Sequence, residues 1–178
     1  MRGIAGALML ARARPEGINA FRSTMQDARA SFIAAALCLP IFLLLRAGAG
    51  SAADPGRALA ADLIAFVCSW AGFALASIPI AEAMGRRALW PRFIAAWNWV
   101  NLVQYSVMAL LSLPDLLGLT GIIAGAMALS GLGYALWLQW FTTRVALGLP
   151  GPKAVAFVAL DLGLSVFLSG LAATMAAG

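Results

Sequence analysis

Residues 116–143 read LLGLTGIIAGAMALSGLGYALWLQWFTT, 28 consecutive positions without a formal charge. A helix needs about 20 apolar residues to cross the hydrocarbon of a bilayer, and this run exceeds that. Working outward, the 22 residues from Phe93 to Pro114 are equally free of charge. The chain of 178 residues is 63% hydrophobic and 11% charged, against about 25% charged residues in a soluble domain. Too few charges remain to cover a water-facing surface, so composition predicts a polytopic membrane protein. In lipid every backbone amide must be paired within its own segment, and these runs are too long and too continuously apolar for the alternating strands of a barrel. The expected fold is therefore all-α, a membrane helix bundle.

Five transmembrane helices are drawn: Ser31 to Leu45, Leu59 to Ile80, Pro91 to Leu113, Leu116 to Phe141 and Ala154 to Ala176. Residues 31–178 form the five-helix transmembrane domain, and residues 1–30 a cytoplasmic basic and amphipathic segment. Positive charge sets the orientation. Arg2, Arg12, Arg14, Arg22, Arg29, Arg86, Arg87, Arg92, Arg144 and Lys153 fall on one side of this scheme, and only Arg46 and Arg57 on the other. The positive-inside rule then places the N-terminus in the cytoplasm and the C-terminus in the periplasm of a bacterial inner membrane. Trp90, Trp97, Trp99, Trp137 and Trp140 cluster towards the cytoplasmic ends of spans three and four, where an aromatic belt belongs.

Before the first span, Ile18, Phe21, Met25 and Ala28 recur at three- and four-residue spacing. That period predicts an amphipathic lead-in helix over Glu16 to Ala28, lying in the headgroup region; Met1 to Pro15 reads equally as a basic tail. A signal peptide ending near Ala11-Arg12-Ala13 is opposed by the arginines that would then be translocated. Asp54-Pro55-Gly56 and Leu113-Pro114-Asp115 mark turns on the outer side, and Gly148 to Pro152 stops span four on the inner side.

Chemistry is sparse. The chain has no histidine, which removes the commonest general base, Ser-His and Cys-His dyads and the HExxH zinc motif. Cys38 and Cys68 lie in apolar segments and read as small hydrophobes. Asp62 and Glu82 sit at opposite ends of span two, as boundary residues, so Asp62 and Asp161 cannot share a proton as an aspartyl dyad does. No catalytic, cofactor or metal residue is assigned, and the chain reads as a non-enzyme.

Asp161 alone lies well within a span, at a cost of about 2.5 to 3.5 kcal/mol on translocon scales. At 100° per residue, Asn98, Asn101, Gln104, Tyr105 and Ser112 share an arc of about 120° on span three. Asp161, Ser165 and Ser169 share a narrower arc on span five. Depth counted from the cytoplasmic surface brings Asp161 level with Asn98 to Asn101 and with Tyr134, so the candidate polar patch is Asp161, Asn98, Asn101, Gln104, Tyr105, Tyr134 and Ser165. Its first reading is interhelical hydrogen bonding; its second is an ion or proton path. On span four Gly118, Gly121, Gly125 and Ala128 form a small-residue seam for a neighbouring helix, of this chain or of a second copy.

Arg14-Pro15-Glu16-Gly17 with Phe21, Ser31-Phe32 leading to Leu39-Pro40, and Trp97-Asn98-Trp99 cover the front half of the chain. In these residues it resembles the five-span Yip-family membrane proteins and uncharacterised bacterial relatives. The resemblance implies a cytoplasmic N-terminus, five helices and a role in membrane organisation or protein association, and it transfers no catalytic residues. The expected function is a non-enzymatic inner-membrane protein whose partners are the lipid bilayer and a second copy or other membrane proteins, not nucleic acid. The alternative is a small transporter or channel component, dimeric and proton- or ion-linked, using the patch around Asp161. A water-filled cavity reaching Asp161 would favour transport, and a filled interior association.

Overall fold

The computed structural model describes residues 2–47, 54–116, 118 and 121–177, and every described element is helical. In chain order these are α1 (Arg2–Ala11), α2 (Met25–Ala30), α3 (Ile33–Ala47), α4 (Pro55–Ala83), α5 (Trp90–Leu111), the single turn α6 (Leu113–Leu116), α7 (Ile122–Leu147) and α8 (Gly151–Ala177), with 3₁₀ turns at Pro15–Ala20 and Arg87–Leu89. Local chemistry explains several boundaries. Thr24 caps α2 through its hydroxyl, which accepts from the Asp27 amide at 3.2 Å, and Asp54 caps α4 by accepting from the Arg57 amide at 3.1 Å. Pro55 and Pro91 occupy first-turn positions, where a missing amide proton costs nothing. Gly148, with φ of 60°, ends α7 in the left-handed conformation that suits glycine.

Three segments among the described residues are long and apolar enough to cross a membrane: Met25–Arg46, Pro55–Ala83 and Gly151–Ala177. This differs from the five expected. The two remaining long helices, α5 with 22 residues and α7 with 26, are not among the three; α5 carries Arg92, Asn98, Asn101 and Gln104, and α7 carries Gln139, Thr142, Thr143 and Arg144 towards its end. A further difference lies at the start of α7, six residues later than expected. Gly118 and Gly121 have φ of 76° and 108°, outside helical space, so the apolar run before Ile122 is not continuous with α7.

The N-terminal segment also departs from expectation. No continuous helix covers Glu16 to Ala28; a 3₁₀ turn, a non-helical stretch through Phe21 and the short α2 replace it. Ahead of Pro15, Arg2–Ala11 form α1, whose Ala7 and Leu10 are fully buried. The 3₁₀ turn folds back on α1 at a glycine contact. A Cβ on Gly6 would sit 2.8 Å from the Gly17 carbonyl oxygen, and one on Gly17 would sit 2.5 Å from that of Gly6. Through α1 and α2, residues 2–30 pack against α5.

α5 is the centre of the bundle, flanked by α1, α2, α3 and α7, while α8 packs mainly along α4. Ring contacts fill the interior: Trp97 stacks on Phe73 at 4.1 Å and meets Trp70 edge-on at 5.6 Å, and Phe93 meets Phe157 at 5.2 Å. Trp90 and Trp97 are therefore core residues at 5% exposure, not members of an interfacial belt. Burial is lopsided. It concentrates where α5 begins and α7 ends, beside Arg86, Arg87 and Arg92, whereas Leu110, Leu129, Val166 and Phe167 towards the opposite end are exposed.

Candidate functional site

The polar side chains drawn together by sequence do not form one patch. Asp161 on α8 accepts a 2.7 Å hydrogen bond from the Gln139 amide on α7. Among the described residues no hydrogen bond joins it to Asn98, Asn101 or Tyr134. Asn98, fully buried on α5, donates instead to the Ser31 hydroxyl at 2.8 Å, and Ser31 donates onward to the Ala28 carbonyl at 2.6 Å. This relay ties α5 to the α2–α3 junction. Gln104 donates to the Ala135 carbonyl on α7 at 2.7 Å, and Asn101 turns back to the Trp97 carbonyl of its own helix at 2.9 Å. Tyr134 donates to the Ala11 carbonyl at 2.9 Å, satisfying an orphan acceptor at the end of α1.

Tyr105 and Ser165 belong to a different place. They line a cleft of about 380 Å³ between α3, α4 and α8, with Ser69, Ser169 and the ion pair of Arg46 and Asp62. Asp62 is thus an inward-facing partner of α3, not a boundary residue satisfied by solvent. Phe42, Phe66 and Leu168 form the apolar part of the lining. Asp161 is absent from that lining, and Phe66 packs beside Trp70 on the side towards the aromatic core.

Two features were not foreseen from the sequence. Gln139 was the missing partner of Asp161, and its signal was weak, being one amide in an apolar run. The second is a pair of arginine clamps at the basic end. Arg92 donates twice to the Ala146 carbonyl, at 3.1 and 2.6 Å, and Arg86 donates to the Gly148 carbonyl at 3.3 Å. Both satisfy acceptors at the C-terminal end of α7, where cations also oppose the helix dipole. Three buried polar atoms have no partner among the described residues: Asn98 Oδ1, Gln139 Oε1 and Thr142 Oγ1.

The glycine seam is also placed differently. Among the described residues a Cβ at Gly118, Gly121 or Gly125 would meet nothing within 4 Å, and Gly121 and Gly125 are exposed. The close glycine of α7 is Gly131, where a Cβ would lie 2.9 Å from Met108 Sδ and from Leu111 Cδ1. Among the described residues no cluster of three or more His, Cys, Asp or Glu side chains is gathered to hold a metal. Compared with protein families, curated proteins and solved structures, the chain matches none.

Proposed function

We infer that this chain is a non-enzymatic integral protein of the bacterial inner membrane that organises or associates with other membrane components, with five crossings, a cytoplasmic N-terminus and the Yip-like character its front half resembles. The observation carrying this reading is the state of Asp161. Its carboxylate is engaged by Gln139, and the level of the bundle around Trp97 is filled with rings from α4, α5 and α8. A proton path needs a chain of exchangeable groups leading to the acid, and the side chain bound to Asp161 is a carboxamide, which does not relay protons. Association is further supported by the open face of α7 at Gly121 and Gly125, flanked by Ile122 and Leu129 at 92% and 70% exposure. That face fits a second copy or another membrane protein through close helix approach.

One observation favours the transporter alternative: the polar cleft at Arg46, Asp62, Ser69, Tyr105 and Ser165 is roomy enough for a small polar solute. The two readings part at Asp161→Asn, which keeps size and hydrogen bonding but not ionisation. Under the association reading the variant folds, retains its co-purifying partners in a pull-down from native membranes and supports growth. A well-folded Asn variant that loses growth or vesicle flux overturns the association reading in favour of transport.

A further inference from the structure

α1 lies against both α5 and α7. A Cβ on Gly3 in its first turn would touch the Trp99 indole of α5, and its last residue, Ala11, is held by Tyr134 of α7. Ten residues give about 15 Å of helix, enough to bridge neighbouring axes about 8 to 10 Å apart.

Two cavities of opposite character meet at this helix and share Trp99. The first, about 630 Å³, extends from Trp99 towards Ala95 and the basic end; its polar lining includes Arg2, Asn19, Arg22 and Asp27. Arg22 is paired with Asp27 at 2.9 Å, and Arg2 has no acidic partner among the described residues, so the cradle keeps one cation in surplus. The second, about 320 Å³, extends the other way; its lining is apolar apart from Ser106, with Ile4 and Leu8 facing Leu102, Val103, Val107 and Leu110. From Leu102 to Leu110 it follows α5 for about 12 Å at 1.5 Å per residue. A polar, net-cationic seat joined end to end with an apolar slot, with an indole at the join, matches an amphiphile with an anionic head.

We propose that the junction of these cavities is a binding site for an anionic phospholipid, its phosphate seated at Arg2 and Arg22 beside Trp99 and one acyl chain lying along Leu102 to Leu110. The site rests on the reading that α5 and α7 cross the bilayer, and on no other part of the proposed function. Arg12, Arg14 and Arg29 are exposed on the same N-terminal segment and add attraction for an anionic leaflet. The head-and-tail division explains why a glycine-clasped segment with five arginines is packed on the bundle: it builds one wall of the seat.

The test is lipid retention by the full chain in neutral detergent, read by native mass spectrometry with phosphatidylglycerol or phosphatidylcholine added. Phosphatidylglycerol is expected to be retained about fivefold or more over phosphatidylcholine, and Arg2→Gln and Arg22→Gln each to lower that retention about fivefold. Val107→Trp, filling the slot, should lower retention of both lipids, while Leu129→Trp on the open face of α7 should not; thermal melting establishes that each variant is folded. Glycerol phosphate at matched concentration should fail to displace the lipid. Equal retention of the two lipids, indifference to both arginine variants, or displacement by glycerol phosphate would overturn the proposal. A chain that stays folded and dispersed without detergent would instead overturn the membrane reading beneath it.

Discussion

A carboxylate half-buried in a helix bundle depends on its partner, and at Asp161 that partner is one amide. Gln139 donates at 2.7 Å, so removing either residue strands the other inside the bundle. Asp161→Leu and Gln139→Leu should each lower stability in detergent by about 1 to 2 kcal/mol. The double leucine variant should lose less than the sum, because no polar group is left unpaired. Thermal melting of the four proteins closes the cycle, and strict additivity would show that the hydrogen bond contributes nothing. The sequence revealed Asp161 as the intramembrane acid but pointed to Tyr134 as its neighbour on α7. Gln139 is five residues further along, about 7.5 Å at 1.5 Å per residue. Counting in from a membrane surface fixes depth, whereas the partner depends on how α7 is shifted and rotated against α8.

Among the elements, α7 shows why a small-residue pattern and a tight contact are different things. Gly121 and Gly125 have the spacing of a packing seam and meet none of the described residues, while Gly131, outside that spacing, is pressed against Met108 and Leu111. Gly131→Leu should therefore destabilise the isolated chain by about 1 to 3 kcal/mol through overpacking, and Gly125→Leu should leave its melting unchanged. If the open face is an interface, Gly125→Leu should instead weaken cross-linking between copies or the capture of a partner. α1 poses the same question at its own scale. Gly6→Val places methyl groups where Ala20 and the Gly17 carbonyl now sit, so α1 should release its 3₁₀ turn and the segment around Arg12 and Arg14 should be cut faster by trypsin. Unchanged proteolysis would mean that the clasp holds nothing.

The whole molecule is packed unevenly, with a ring-filled core at the basic end and a cleft towards the other. Arg86, Arg87, Arg92, Arg144 and Lys153 gather around the two turns of that end, where Arg92 and Arg86 bind the last carbonyls of α7. These arginines have two roles in the proposed topology, as orienting charges and as clamps. A reporter active only in the cytoplasm should work when fused before Ser31 or between Arg86 and Arg92 and fail after Gly178. Activity at Gly178 would mean an even number of crossings and would remove α5 or α7 from the set of spans.

The sequence alone determined the helical class, the membrane-compatible character and the ends of most of the long helices, because those depend on local properties such as the length of an apolar run or a proline in a first turn. α4, α5 and α8 begin and end within four residues of where Leu59 to Ile80, Pro91 to Leu113 and Ala154 to Ala176 placed them. The tertiary structure alone decided that Trp90 and Trp97 are core residues, that Asn98 belongs to Ser31 and Asp161 to Gln139, and that the N-terminal segment includes a helix wedged against Trp99 and Tyr134. Each of these joins residues far apart in the chain. An apolar run has nearly the same hydropathy whichever face it turns inward, so the rotation that selects a buried face is set by packing against other helices.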